Sequence, residues 1–232
     1  MVFAILIAGL TAGPAKATNC TGDGTVSQTV CVAAESFVAT LSVGQLSVLN
    51  RSLTTANEER WSNLPCGNAC RNGLELGTLS GTQLQAALAV VQAALSTGGY
   101  DTFDGIRNAD DFLALNGGSG QYGSGDYFIA FLGTPSSTAP WLLQVGGDHY
   151  ALNFFFQGPV ATPTPYFTGV EPPSFALHGT TYAPMQGKMD AAKAMLADLS
   201  ANQLANAQLS GSFNDVLLGP GDDNHFPAQA GL

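Results

Sequence analysis

The chain has 232 residues, 45% apolar and 10% charged, which is enough apolar side chain for a sizeable core and argues against a wholly disordered protein. Its 17 acidic residues outnumber 7 basic ones, for a formal charge of −10. Such a chain repels phosphate backbones and anionic lipid, which excludes non-specific nucleic-acid binding as a main activity and argues for no nucleic-acid partner.

The chain opens on an apolar run, Val2 to Leu10, too short to span a bilayer, which takes about 20 residues. It leads into Ala15-Lys16-Ala17, an A-x-A pattern of the kind signal peptidase cuts. Residues 1–17 therefore read as an export signal and 18–232 as a single mature domain. The basic residues that usually open such a signal are missing, so the start is placed late or cut short. The competing reading of this run is a buried N-terminal strand. No later stretch is apolar for long enough to cross a membrane, which points to a secreted or periplasmic protein with no membrane span in the mature chain.

Cys20, Cys31, Cys66 and Cys70 all fall in the first third, and an even count in an exported chain favours disulfides. Local loop closure favours Cys20 with Cys31 and Cys66 with Cys70. A four-thiolate zinc site would want two short C-x-x-C hooks, and gaps of 10, 34 and 3 residues do not supply them. Cys20 lacks the residues of a lipoprotein box before it. Asn19-Cys20-Thr21 and Asn50-Arg51-Ser52 are sequons that matter only in a eukaryotic host.

A first helix is expected over Val32 to Thr40. Three copies of L-S-x-x-Q-L follow, at Leu41–Leu46, Leu79–Leu84 and Leu199–Leu204. In each, Ser and Gln can form a capping box and the two Leu a hydrophobic staple, so each predicts a helix start. The second helix shows a stripe of Leu84, Leu88, Val91 and Leu95 and is expected to end at Gly98-Gly99. In the middle, Tyr127–Leu132, Trp141–Val145, His149–Gln157 and Tyr166–Val170 read as strands of an antiparallel meander, with Gly146-Gly147-Asp148 as a tight turn. Two helices close the chain, about Pro184 to Leu199 and Ala201 to Leu209. Met185, Met189 and Met195 fit core packing better than a metal or cofactor box. The fold class is α+β, a central antiparallel sheet flanked by N-terminal and C-terminal helices.

Several motifs fail their context tests. Gly118, Gly120 and Gly123 spell G-x-G-x-x-G, but a strand follows where a dinucleotide site needs a helix. No G-x-S-x-G elbow, H-E-x-x-H helix or phosphate-binding loop is present. Asp222-Asp223-Asn224 lacks the ligand spacing of a calcium loop and reads as a polar turn.

One constellation remains. His149 opens a strand beside a turn with little side-chain bulk, and strand alternation sets His149, Ala151 and Asn153 on one face. An imidazole and an amide so placed suit a metal, a sugar or a carboxylate, with Asp148 as ligand or orienting group and Glu171 as a further carboxylate at a strand end. The bland alternative is a strand histidine hydrogen-bonded to its neighbours.

The order of many small features resembles one family. Trp61, Pro65, Arg71-x-Gly73-Leu74, Gln83, Ser96-x-x-Gly99-Tyr100, Tyr127, Gly133-x-Pro135-Ser136, Trp141 and Gly146-Gly147-Asp148-His149 with Asn153 follow its sequence of landmarks. Thr162-Pro163, Phe167-x-Gly169, Pro172 and Leu218-Gly219-Pro220-Gly221-Asp222 continue it. From about Trp61 to Leu232 the chain resembles the exported family of bacteria and fungi catalogued as domain of unknown function 3500. The resemblance implies an exported protein and brings no reaction with it. Members usually carry two adjacent histidines where this chain has Asp148-His149, which weakens a two-histidine ligand set. They also continue past the position of Leu232 with an aromatic strand, a Glu-Tyr strand and a His-x-His motif. The sequence is then a fragment, or the site is incomplete.

Two functions stay open. One is an exported metal-dependent enzyme, hydrolytic or oxidative, with His149, Asp148 and Asn153 as catalytic residues. There His149, Asp148 and Glu171 hold a divalent metal, and Arg71 clamps an anionic substrate group or else braces its loop. The other is a non-catalytic or envelope-associated module that binds a small-molecule or cell-envelope ligand through aromatic strands. In it Trp141 serves as recognition surface or plain core. His149 near Glu171 or His225 would favour the enzyme.

Overall fold

The structure, a computed structural model, describes residues 19–21, 24–118, 120, 122–212, 218–220, 226, 228 and 231. The expected export signal at 1–17, the Asp222-Asp223-Asn224 turn and His225 lie outside the described residues.

Thr25 caps α1 (Val26–Val38), its hydroxyl accepting from the Gln28 amide. The first helix thus begins six residues ahead of the expected Val32 and presents Val30, Cys31, Ala34 and Phe37 to the core. The Cys20–Cys31 disulfide, with Cα atoms 5.4 Å apart, ties the preceding segment to it. α2 (Val43–Leu49) runs directly into the short strand β1 (Asn50–Arg51). After α3 (Thr55–Glu58) the chain forms a loop closed by Cys66–Cys70, then β2 (Leu74–Glu75).

The second capping motif opens α4 (Gly81–Ala94), which buries Ala87, Val90, Val91 and Ala94. It interlocks with the first: Gln45 and Gln83 exchange side-chain hydrogen bonds of 3.1 and 3.0 Å, and Gln83 also reaches the Thr40 carbonyl. Gly98-Gly99 does not stop α4. The helix ends at Ala94, Leu95 is extended, and Ser96 caps a new helix, α5 (Thr97–Leu115), its hydroxyl accepting from the Gly99 amide. The Ser96 cap satisfies the Gly99 amide, and this local chemistry starts the helix despite the two glycines in its first turn.

The sheet follows: β3 (Phe128–Leu132), β4 (Trp141–Gly147), β5 (Tyr150–Gln157), β6 (Val160–Thr162) and β7 (Tyr166–Thr168). β3, β4 and β5 form an antiparallel meander. β6 and β7 pair with different parts of β5, and β2 pairs antiparallel with β3. Among the described strands only β1 is parallel, paired with β3 after a long crossover through the helices. One face of the meander (Ile129, Phe131, Leu143, Val145, Leu152, Phe154 and Phe156) shares a core with α1 and α4. The other carries Ala130, Leu132 and Leu142 under Leu53 and Phe155.

A separate hairpin, β8 (Phe175–Leu177) with β9 (Thr180–Tyr182), packs on α5 through Ala109 and Phe112. α6 (Gln186–Ala197) and α7 (Ala201–Ala207) come last, and neither buries a residue. Of the three methionines expected in the core, Met185 packs against it, but Met195 is 61% exposed. Helices before and after a mostly antiparallel sheet make the architecture α+β.

Candidate metal centre

The site grows from a two-residue turn. Gly147 of β4 pairs with Tyr150 of β5, so Asp148 and His149 alone connect the strands. The expected turn sat one residue earlier. Gly146 and Gly147 are strand instead, and Gly147 is needed because a Cβ there would lie 2.6 Å from the Tyr127 ring. His149 adopts a left-handed conformation, φ 58°. It therefore belongs to no strand face, and the alternation that grouped it with Asn153 does not apply.

Every carbonyl of the turn is engaged. Gly147 O accepts from Arg71 Nη2 at 2.7 Å, Asp148 O from the Tyr127 hydroxyl at 2.9 Å, and His149 O from the Gly169 amide at 2.7 Å. The His149 amide donates to Asn63 O at 2.9 Å. A left-handed non-glycine residue is held where surrounding bonds over-determine it, as here.

The side chains of the turn meet a third group from α5. Asp110 lies on the buried face of that helix with Phe103, Ile106 and Ala109. Asp110 is 1% and Asp148 4% exposed. Asp110, Asp148 and His149 each offer a ligand atom, all within 4.8 Å of one another. His149 Nδ1 lies 2.7 Å from Asp148 Oδ2, but off the line of the ring N–H. Asp110 Oδ1, Asp148 Oδ2 and His149 Nδ1 are all buried without an aligned hydrogen-bond partner. On the outer side, Glu171 places Oε2 3.8 Å from His149 Nε2, its own side chain 70% exposed.

Burial pushes the Asp110 carboxyl up to about 7; the hydroxyl of Tyr127 opposes this and the charge of Asp148 adds to it. His149 is raised chiefly by its contact with Asp148, against an opposing effect of burial. Tyr127 is pushed well above its ordinary value by burial and by Asp110. Two buried carboxyls and an imidazole that converge in a pocket disfavouring bare negative charge are donors of the kind that can hold a divalent cation.

A family model described as "Protein of unknown function (DUF3500)" matches residues 23–232. The chain belongs to the DUF3500 family. No curated protein and no solved structure matches it. The DUF3500 match also takes in residues 23–60, ahead of the landmarks that carried the resemblance.

In this DUF3500 chain the structure brings Asp148, His149 and Glu171 to one place and sets Asn153 apart. Asn153 accepts from Gln144 at 2.9 Å and donates to Pro165 O, in an amide chain that continues from Gln144 to Asn72. Arg71 is 5% exposed, and its guanidinium donates to Ser62 O, Leu64 O, Gly67 O and Gly147 O. Those bonds describe the bracing alternative rather than a clamp on substrate. Trp141 is fully buried, stacked on Phe156 and bonded to Ser136 O, which makes it core rather than recognition surface. Both disulfides pair as local loop closure favoured.

Asp110 went unseen in the sequence. It lies thirty-eight residues before Asp148, in a helix whose start was read as a stop, and only the packing of α5 on the sheet end joins them. The available signal was Ser96-x-x-Gly99, a capping serine ahead of a stripe of Phe103, Ile106 and Asp110 at helical spacing.

Proposed function

We propose that this is an exported metal-dependent hydrolase in which Asp110, Asp148 and His149 hold one divalent cation and Glu171 supports His149 from the far side of its ring. The convergence of these three side chains within 4.8 Å, two of them carboxyls almost fully buried, carries this reading. Ligands of such an ion sit about 2.0–2.2 Å from it, so atoms sharing one lie within about 4.4 Å of each other; these three lie within 4.8 Å. Three protein ligands leave coordination positions for water and substrate, as catalytic rather than structural sites do. Oxygen-rich donors with one imidazole suit zinc or manganese, and favour activation of water over electron transfer. Glu171 approaches the other ring nitrogen, Nε2, at 3.8 Å, where it would orient the imidazole and raise its basicity as a ligand rather than touch the ion or its water. Residues 1–17 then act as the export signal and 18–232 as one domain. Two disulfides fit an oxidising compartment, and no described helix is long and apolar enough to cross a membrane.

Chelator-stripped protein titrated calorimetrically with Zn2+ and with Mn2+ tests the reading. One equivalent is expected to bind at least one of the two ions. His149→Ala and Asp110→Asn should each weaken it by more than the roughly 10- to 100-fold typical of outer-sphere changes. Wild-type protein that binds neither ion would overturn the proposal.

A second reading, a non-catalytic ligand-binding module, is favoured by one observation. A cleft of about 500 Å³ opens on the outer sheet face, lined by Trp61, Leu142, Phe155, Glu58 and Glu59 among others. That volume is typical of small-molecule sites. A fold unaffected by His149→Ala, together with no cation binding, would leave this reading ahead.

A further inference from the structure

We infer that Arg71, held in place by the Cys66–Cys70 loop, is a positioning residue that fixes the geometry of the cation site. The inference rests on the cation reading above and adds how the site is kept in shape. Arg71 follows Cys70 directly and touches none of the proposed ligands' donor atoms by hydrogen bond. It acts on the peptide carbonyls on either side of them.

Two stretches of backbone meet at this guanidinium. From the disulfide loop come Ser62 O at 3.0 Å and Leu64 O at 2.5 Å, both on Nη2, and Gly67 O at 3.4 Å on Nη1. From the end of β4 comes Gly147 O at 2.7 Å, one residue before Asp148. Nη1 also lies 3.6 Å from Cys66 Sγ, so the sulfur bridge forms part of the wall around the charge. Between Ser62 and Leu64, Asn63 turns its carbonyl the other way and accepts from the His149 amide. Loop and turn are thus fastened twice, once on each side of Asp148.

The chemistry requires arginine and a closed loop. A guanidinium presents several donors in a rigid planar fork and can hold four carbonyls at once. An ammonium is a point charge on a flexible stem and cannot reproduce that spread. Burial lowers the tendency of Arg71 to hold its proton, and the charges of Asp148, Tyr127 and Asp110 work against that. The carbonyls it needs lie on a loop whose only regular element is the short 3-10 turn Gly67–Ala69. The bond between Cys66 and Cys70, four residues apart, keeps that turn closed and Gly67 O in reach. Opened, the loop would let the fork relax, and the turn bearing Asp148 and His149 with it.

Zn2+ affinity of chelator-stripped protein, read by calorimetry, separates this from a merely structural role. Arg71→Lys and the double variant Cys66→Ser/Cys70→Ser both leave a positive charge at position 71 and remove only the fork or its anchor. Each should bind Zn2+ roughly 10- to 100-fold more weakly than wild type. Cys20→Ser/Cys31→Ser removes the other disulfide, which ties residue 20 to α1, and should bind within about twofold of wild type even if it melts earlier. Circular dichroism establishes that each variant is folded. If Arg71→Lys does not fold, the Cys66→Ser/Cys70→Ser variant decides, since both of those cysteines are only half-buried. Folded variants that bind as wild type does would overturn the inference and leave the cation site standing. Wild type without Zn2+ or Mn2+ affinity would remove both.

Discussion

Asp110 holds its proton to about pH 7 because burial disfavours the charged form. The unfolded carboxyl ionises near 3.9. Between those values the folded protein keeps a proton that the unfolded chain releases. The stability from this group is therefore full below about pH 4 and is lost as pH rises through 7. His149, also raised, contributes with the same sign at higher pH, losing stability as pH climbs past its folded value. Metal-free protein should accordingly become easier to unfold in urea from pH 4 to pH 8, and Asp110→Asn should flatten the lower part of that slope. An unchanged slope in the variant would mean that Asp110 is ionised throughout. At this scale the sequence was partly legible. Asp148 and His149 stood out beside two glycines. Their grouping with Asn153 failed because His149 takes a left-handed backbone and leaves the strand, while Asn153 serves an internal amide chain. Nothing local could show that Gly147 is consumed by the Tyr127 ring, which moves the turn forward by one residue.

At the scale of elements, one capping motif occurs three times and forms a full box each time. Its worth depends on what the helix behind it buries. α4 packs four residues into the core, so weakening its start weakens the cooperative unit. α7 buries none. Ser80→Ala should lower the global unfolding free energy by about 1 kcal/mol. Ser200→Ala should change it by less than about 0.5 kcal/mol, because a helix outside the core unfolds locally first. Urea denaturation of the two variants compares them, and equal losses would contradict the argument. Capping chemistry is local, which is why these starts were readable from sequence. The end of α4 was not. Glycine normally signals a stop, but Gly98 and Gly99 sit in the first turn behind the Ser96 cap, where they extend no exposed helix interior. The strands of the meander were legible from their aromatic and β-branched runs. The parallel pairing of β1 with β3 was not, since two residues carry no pattern.

For the molecule as a whole, the described residues divide into a well-packed body and a thin C-terminal part. The meander, α1, α4 and α5 supply most of the buried apolar residues, and the 186–207 stretch supplies none. Native-state hydrogen exchange should therefore rank the amides of β3, β4 and β5 slowest and those of α6 and α7 fastest. Equal protection in the two regions would show that α6 and α7 share the cooperativity of the core. The slow region also contains the Asp148-His149 turn, whose three carbonyls and His149 amide are each already bonded to protein. A turn fastened at three carbonyls and one amide has little freedom to contract or swell. On the proposed cation reading, such a turn should sort ions by radius more than by charge, favouring those that fit its spacing over larger dications of equal valence.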